Sequence, residues 1–113
     1  MIKMEISQDQ SNFVIEPSAV RTMKIPTDDA EKLAELSKAL KSPTRQKILS
    51  ILREQPMDVS RLAQKLKQTE ANISAQIQNL QSVGLVVSRY EPGGHGVRKI
   101  CEVVVDKIII SLD

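Results

Sequence analysis

The sequence predicts an α+β fold that is mainly helical, with two helices and a tight turn placed before a β-hairpin. Two apolar stripes at helical spacing lie between residues 60 and 85, which is typical of helices with one buried face. The stripe residues are Leu62, Ala63 and Leu66 in the first helix and Ile73, Ile77 and Leu80 in the second. A glycine-rich turn then separates two β-rich segments, so the order of elements predicts a winged helix-turn-helix with additional short terminal strands.

The composition limits the chain to one domain with an aliphatic core. At 113 residues the sequence is long enough for a single core, and 41% of the residues are hydrophobic while 27% are charged. Phe13 and Tyr90 are the only aromatic residues. Because single-stranded nucleic acid is bound mainly by stacking on aromatic side chains, this scarcity argues against that class of partner.

The sequence predicts a cytoplasmic protein without a membrane anchor. It has no apolar run near the roughly 20 residues that a membrane-spanning helix needs, and its start lacks the apolar core of a signal peptide. Cys101 is the only cysteine, which excludes an intramolecular disulfide and indicates a reducing compartment. Its neighbours Ile100 and Val103 predict a buried small hydrophobe rather than a reactive thiol.

Basic residues are concentrated in the middle of the chain, although the net charge of the whole sequence is only +2. Residues 41–67 contain seven basic residues and two acidic ones, a local excess of +5. The basic residues are Lys41, Arg45, Lys47, Arg53, Arg61, Lys65 and Lys67, and the acidic ones are Glu54 and Asp58. Such an excess suits contact with nucleic-acid phosphates, and the alternative is a set of solvated helix faces.

Capping residues and prolines divide the chain into three predicted parts. Residues 1–26 form an N-terminal arm or short strands, and residues 27–105 form the winged helix-turn-helix domain. Residues 106–113 form a C-terminal strand that is a candidate part of a dimer interface. Thr27 is the predicted N-cap of a first helix that covers 28–40.

Each later helix carries its own start and stop signals. The predicted N-caps are Ser42, Asp58 and Thr69. The predicted stops are the Gln55-Pro56 pair after the second helix and Gly84 after the last one. A strand is predicted over 85–90, and the hairpin turn is predicted to span Glu91 to Gly96.

The last helix carries short, mostly uncharged hydrogen-bonding groups on its outward face. With the buried stripe assigned, the outward positions near its start are Thr69, Glu70, Asn72, Ala75 and Gln76. A helix that enters the major groove of DNA presents such groups to base edges through its N-terminal half. The alternative is a polar helix face with no partner.

Three motifs follow one another in the middle of the chain. They are S-P-T-R followed by I-L-x-x-L (Ser42 to Leu52), V-S-x-L-A (Val59 to Ala63) and I-S-x-x-I-x-x-L-x-x-x-G-L (Ile73 to Leu85). Over about residues 38–90 the sequence thereby resembles the ArsR-type winged-helix transcriptional regulators. The resemblance implies a homodimeric, nucleoid-associated repressor that binds double-stranded DNA. It would read a palindromic operator with two helices that lie about one DNA turn apart.

The resemblance also implies which residues contact DNA. The 69–83 helix is expected in the major groove, where the amides of Asn72 and Gln76 suit pairing with adenine. The 91–97 wing is expected on the phosphate backbone or in the minor groove. The full set of expected DNA-binding residues is Arg45, Lys65, Lys67, Thr69, Glu70, Asn72, Ala75, Gln76, Arg89, His95, Arg98 and Lys99.

The chain departs from the family pattern at three places. Metal-sensing members carry a Cys-x-Cys pair where this chain has Asp58 and Ser60, so we expect no metal and no cofactor. Lys67 replaces the usual glycine of the turn and Gln68 replaces an apolar residue, which predicts some backbone strain and some lost packing. The strand-like end of the chain replaces the usual terminal helix, so we expect dimerisation through the first helix and the terminal strands.

The sequence leaves two other classes of function beside that of a sequence-specific regulator. A winged-helix protein-interaction or architectural DNA-binding subunit is the alternative, because apolar terminal strands can pair with the sheet edge of a partner. An enzyme is disfavoured, since the sequence has no Ser/His/Asp arrangement and no phosphate-binding glycine loop. The glycines of 93–96 lie between strands, whereas a phosphate loop requires a helix immediately afterwards.

Overall fold

The computed structural model describes residues 20–112, which form a winged helix-turn-helix with a second, two-stranded sheet. Strands suggested by the alternating residues Ile2 to Ile6 and Phe13 to Ile15 lie outside the described residues. The elements are β1 (Thr22–Ile25), α1 (Ala30–Leu40), α2 (Pro43–Glu54), β2 (Met57–Asp58), α3 (Val59–Leu66), α4 (Glu70–Ser82), β3 (Val86–Gly93), β4 (Gly96–Val103) and β5 (Lys107–Ile110). None of the helices within residues 20–112 has the length and apolar composition needed to span a bilayer.

The first helix begins two residues later than the sequence predicts. Its N-cap is Asp29 rather than Thr27, and the Asp29 carboxylate accepts a hydrogen bond from Lys32 N at 3.1 Å. Asp29 N in turn donates to Pro26 O at 3.2 Å, so the chain makes a turn before the helix starts. A carboxylate is a strong capping group, and at this position it also faces the positive end of the helix dipole.

The three other predicted N-caps are confirmed. The Ser42 hydroxyl accepts from Arg45 N at 3.3 Å, the Asp58 carboxylate from Arg61 N at 2.8 Å, and the Thr69 hydroxyl from Asn72 N at 3.0 Å. Each bond satisfies one backbone N–H that has no partner within its own helix. These caps fix where α2, α3 and α4 begin, and α4 is the helix that the resemblance places in the major groove.

The turn between α3 and α4 contains a left-handed lysine. Lys67 has φ 56° and ψ 48°, and it is the one non-glycine residue with positive φ among residues 20–112. Its N–H donates to Gln64 O at 3.3 Å, and Gln68 N donates to Ala63 O at 3.0 Å, which closes the helix end. The left-handed conformation costs an L-residue roughly 1–2 kcal/mol. The predicted strain at this position is therefore confirmed.

Replacing Lys67 by glycine should stabilise the fold. Lys67→Gly removes the left-handed strain, and the greater freedom of glycine in the unfolded chain offsets part of the gain, leaving about 0.5–1 kcal/mol. Urea unfolding measures the difference. Lys65→Gly is the matched control within helix α3 and should cost about 1 kcal/mol. Equal losses from both variants would contradict the strain assigned to Lys67.

The core forms where the helices and the wing sheet meet. All three stripe residues of α4 are fully buried, at 0% exposure for Ile73, 1% for Ile77 and 0% for Leu80. Helix α4 ends at Ser82, and Gly84 follows its C-cap with φ 83°, which lets Leu85 N donate to Leu80 O at 3.0 Å. Burial of the whole stripe orients α4, so the opposite face of the helix is turned to solvent.

The wing is a longer hairpin than the sequence predicts. Strands β3 and β4 pair in antiparallel register as far as Gly93 opposite Gly96, so the turn itself contains only Gly94 and His95. The predicted turn over 91–96 is therefore too wide, because Glu91 and Pro92 belong to the ladder, opposite Arg98 and Val97. Proline fits there since β3 is the edge strand of the sheet order β2-β4-β3.

The two ends of the described chain form a separate parallel sheet. Strand β1 pairs with β5, with Met23 opposite Ile108 and Ile25 opposite Ile110. A salt bridge joins the residues that precede the two strands, because Arg21 Nε and Nη2 donate to the two Asp106 carboxylate oxygens at 3.0 Å each. These hydrogen bonds lower the pKa of Asp106 to about 2. The pairing shows how the terminal strands meet, while the division of the chain at residues 26 and 106 stays a prediction.

Candidate nucleic-acid interface

The outward face of α4 has the positions that the sequence predicts. Thr69, Glu70, Asn72 and Ala75 are exposed, and Gln76 is half-buried at the edge of the face. Glu70 is the single charged residue of α4, so the face is otherwise a set of uncharged donors, acceptors and a small methyl group. This surface can make hydrogen bonds to a base edge at short range without first removing the hydration shell of a charged side chain.

A chain of side-chain hydrogen bonds runs along this face from α2 through α4. We define the amide ladder as Gln68, Asn72 and Gln76: Asn72 and Gln76 lie four residues apart on one face of α4, and Gln68 lies in the turn before it. Gln76 Nε2 donates to Asn72 Oδ1 at 3.2 Å, and Asn72 Nδ2 donates to Gln68 Oε1. Gln68 Nε2 closes the ladder on the Thr44 hydroxyl at 3.3 Å.

Arg45 holds the other end of the amide ladder. Its Nη1 donates to Gln76 Oε1 at 2.6 Å. Its Nε and Nη2 donate to Ala39 O at 2.8 Å and Lys38 O at 2.9 Å, which are backbone carbonyls at the end of α1. The sequence places Arg45 among the expected DNA-binding residues, as a phosphate or minor-groove contact, but in the structure three of its N–H groups donate to partners within the protein. Gln68 is absent from the expected site, because it precedes the N-cap of α4 and its bond to Asn72 does not follow from helical spacing.

The wing arginines are paired with acids of the same sheet. Arg89 contacts Glu91, and its Nε lies 3.2 Å from Glu102 Oε1. Arg98 Nη1 lies 3.3 Å from Asp58 Oδ2. Both arginine side chains are about half exposed, at 46% and 55%. Exposed ion pairs contribute little free energy, so a phosphate can replace these partners at low cost.

The remaining expected residues divide into two groups. His95 is exposed at the tip of the wing, Lys99 is half-buried on β4, and Lys67 lies in the turn directly before α4. Lys65 is not brought to this surface, because it lines a groove with Arg61 and Glu54 between the end of α2 and α3. The structure thus gathers most of the expected residues around α4 and the wing, with Lys65 apart from them.

A groove of about 630 Å³ separates the start of α4 from the wing. Its polar lining mixes Asp58, Ser60, Glu70 and Ser74 with Arg98 and Lys99. No group of three His, Cys, Asp or Glu residues that could hold a metal ion occurs within residues 20–112. Cys101 is fully buried, and its burial raises the pKa of the thiol. The residues around the groove thus combine charged side chains of both signs with the apolar Val59 and Ala71.

The sequence matches one protein-family model, described as bacterial regulatory protein, arsR family, over residues 42–88. That segment contains α2, α3, α4 and the start of β3, and hence the whole amide ladder. None of the curated proteins matches the chain. The matched family is one of regulatory proteins and not of enzymes, which confirms the prediction that the chain is not an enzyme.

Several solved structures have the same fold. The homodimeric winged helix-turn-helix DNA-binding domain of Mb0332 from Mycobacterium bovis, a possible ArsR-family transcriptional regulator, is 29% identical with a TM-score of 0.59, over 66% of each chain. Rv0081 from Mycobacterium tuberculosis is 29% identical with a TM-score of 0.58, over 69% of this chain and 76% of its own. NolR from Sinorhizobium fredii is 25% identical with a TM-score of 0.62, over 70% and 75%. The predicted fold class is therefore confirmed.

Proposed function

We propose that the chain is a homodimeric repressor of the arsR family that reads a palindromic operator, and the match of residues 42–88 to the model of that family supports this. Helix α4 lies in the major groove, and the wing lies on the phosphate backbone or in the minor groove. Such a repressor acts at the nucleoid in the cytoplasm and needs no metal or cofactor.

The observation that carries this proposal is the solvent-facing row of amides on α4. An Asn or Gln amide can accept from adenine N6 and donate to adenine N7 at the same time, which distinguishes A·T from the other base pairs. Asn72 and Gln76 each keep one N–H and one oxygen lone pair beyond their bonds within the ladder. A face with these properties supports sequence-specific reading of a duplex.

Affinity comes from the basic residues around this face. Of the seven basic residues of 41–67, Lys67 lies in the turn before α4, whereas Arg61 and Lys65 line the separate groove at the end of α2. In the wing, Arg89 and Arg98 can exchange their carboxylate partners for phosphates, because both arginine side chains are about half exposed. Neutralising phosphates releases counterions, so binding by these side chains has to weaken as the salt concentration rises.

Neutralising the lysines near α4 should weaken DNA binding and flatten its salt dependence. Lys65→Gln/Lys67→Gln removes two charges, and each charge that contacts a phosphate lowers the slope of log Kd against log salt by about one. The change in this slope, measured by fluorescence anisotropy, therefore shows how many of the two lysines contact a phosphate. Because Lys65 lies beside Glu54, we expect Lys67→Gln alone to give most of the change.

A control with the same net charge keeps this test specific. Lys47→Gln/Arg53→Gln removes two exposed basic side chains from α2, and neither residue belongs to the terminal sheet or lines the groove beside α4. This variant should leave the salt slope unchanged. Equal effects of the two double variants would show that only the net charge matters, which contradicts an interface centred on α4.

We place the dimer contact on the terminal sheet together with α1. Large apolar side chains are exposed on this sheet and directly after it, with Ile109 of β5 at 42% and Leu112, two residues past β5, at 84% exposure. A two-stranded sheet is marginal by itself, and within residues 20–112 neither of its outer edges pairs with another strand. The homodimeric state of the Mb0332 domain supports a second copy as the partner.

Charges placed on the terminal strand should dissociate the dimer. Ile109→Glu/Leu112→Glu replaces two apolar side chains by carboxylates, and the lost burial alone predicts a dimer Kd at least about tenfold higher. Sedimentation velocity over a range of concentrations measures the change. Val87→Glu/Val97→Glu is the matched control, since it alters two exposed apolar residues of the wing. Dissociation by the wing variant alone would place the dimer contact elsewhere.

The terminal sheet also favours a second candidate function. Its exposed apolar residues suit a protein partner that adds a strand to the edge, as in a winged-helix interaction subunit or an architectural DNA-binding subunit. In that case the lysine variants of α3 and the turn leave partner binding intact. The variants of Ile109 and Leu112 would then remove partner binding without changing binding to DNA.

A further inference from the structure

The amide ladder has a direction, because each of its bonds orients the next amide. Arg45 has only donors, so it can hold only the oxygen end of the Gln76 amide. With that oxygen held, Gln76 Nε2 is turned toward Asn72 Oδ1 at 3.2 Å. Asn72 Nδ2 is thereby turned toward Gln68 Oε1, and Gln68 Nε2 toward Thr44 at 3.3 Å. The threonine hydroxyl can both donate and accept, so it imposes no direction of its own.

We propose that Arg45 is a positioning residue that fixes the orientation of all three ladder amides, and thereby the base pairs that α4 prefers. This inference rests on the proposed function, since it names how that same surface acquires its specificity. It assigns Arg45 a role inside the protein, in place of the phosphate or minor-groove contact that the resemblance implies.

The orientation matters because an amide can be turned over without changing its shape. Its oxygen and its NH2 group have nearly the same size, so only hydrogen bonding decides which one occupies a given place. Adenine needs an acceptor opposite N6 and a donor opposite N7, so a flipped amide presents the reverse pattern. Loss of the directing donor therefore lets each ladder amide populate both orientations and reduces discrimination between base pairs.

Arg45 is well placed for this role because its guanidinium is itself held. Ala39 O and Lys38 O accept from Nε and Nη2 at 2.8 and 2.9 Å, and they belong to α1, outside the helix-turn-helix. The side chain is half-buried, and its backbone N–H is fixed by the Ser42 cap at 3.3 Å. The end of α1 thus acts as the fixed support from which the ladder is oriented.

The first test uses the free protein and needs no DNA. In Arg45→Met the side-chain NH2 resonances of Gln76, Asn72 and Gln68 should move toward the values of exposed amides in heteronuclear NMR spectra. Lys47→Met is the matched control, because Lys47 is exposed on the same helix, and it should leave these resonances in place. Unchanged ladder resonances in folded Arg45→Met would overturn the inference, whatever the protein does with DNA.

The second test separates positioning from phosphate contact on duplexes that the wild-type protein selects. If Arg45 positions the ladder, Arg45→Met lowers discrimination at the base pairs under Asn72 and Gln76 about tenfold and keeps the salt slope. Uniform weakening on all duplexes with a slope lower by about one would overturn the inference and assign Arg45 to a phosphate. Arg45→Lys, which retains a donor for Gln76, should preserve more discrimination than Arg45→Met and serves as the test if the methionine variant is unfolded. Wild-type protein that binds no duplex would instead refute the proposed function, while the resonances of the free protein still report on the ladder.

Discussion

Ala75→Glu should reduce affinity for duplex DNA at least about a hundredfold, because a carboxylate placed against phosphates costs several kcal/mol. Ala75 is exposed on the outward face of α4, between Asn72 and Gln76 on one side and the groove on the other. Glutamate is a good helix former, so the substitution should leave the fold intact. Anisotropy titration of the variant against a selected duplex, with circular dichroism as the check on folding, measures the effect.

Ser50→Glu is the control for the added charge. Ser50 is exposed on α2 and lines a groove with Asp106 and Lys107, away from the outward face of α4. The variant has the same net charge as Ala75→Glu and should bind DNA with close to wild-type affinity. A loss from Ser50→Glu as large as that from Ala75→Glu would mean that α4 is not the surface that approaches DNA.

Ile77→Ala should lower the free energy of unfolding by about 2–5 kcal/mol, the range for removing several methyl or methylene groups from a packed core. Ile77 is 1% exposed in the middle of the α4 stripe, where it joins the core with Ile73 and Leu80. For a domain whose total stability is about 5–15 kcal/mol, this is a large fraction. Urea unfolding followed by circular dichroism measures the change.

The neighbouring position provides the control for this core substitution. Gln78 is exposed one residue further along α4, and Gln78→Ala should change the free energy of unfolding by no more than about 0.5 kcal/mol. If Ile77→Ala proved equally mild, the stripe would not be what orients α4. The assignment of Asn72 and Gln76 to the outward face would then lose its basis.

The helical part of the fold follows from local signals in the sequence. Ser42, Asp58 and Thr69 cap the helices that the sequence predicts, since a side-chain acceptor two or three residues before a free N–H acts through local geometry alone. The buried stripe of α4 is predicted for a similar reason, because its period is a property of the helix itself. The predicted start of α1 is wrong because Thr27, Asp28 and Asp29 are all good N-cap residues, and Asp29 is the one that caps the helix.

The sheets and the ladder depend on pairings between distant residues, which the sequence leaves open. The two-residue strand β2 shows no alternation, and the register that carries β3 and β4 through to Gly93 is set by the partner strand. Arg45 is separated from Gln76 by 31 positions, so its hydrogen bond cannot be deduced from spacing. The sequence therefore supports the location of the candidate site, whereas its internal hydrogen bonding requires the structure.

Selection from a randomised pool of duplexes at two salt concentrations tests the central proposal most directly. A homodimer that reads DNA with α4 should enrich a palindrome whose half-sites lie about one helical turn apart, with retention that falls as salt rises. Salt-dependent retention without any enriched sequence would contradict specific reading and leave an architectural role. No retention at either salt concentration would contradict DNA binding altogether and favour the protein-interaction function of the terminal sheet.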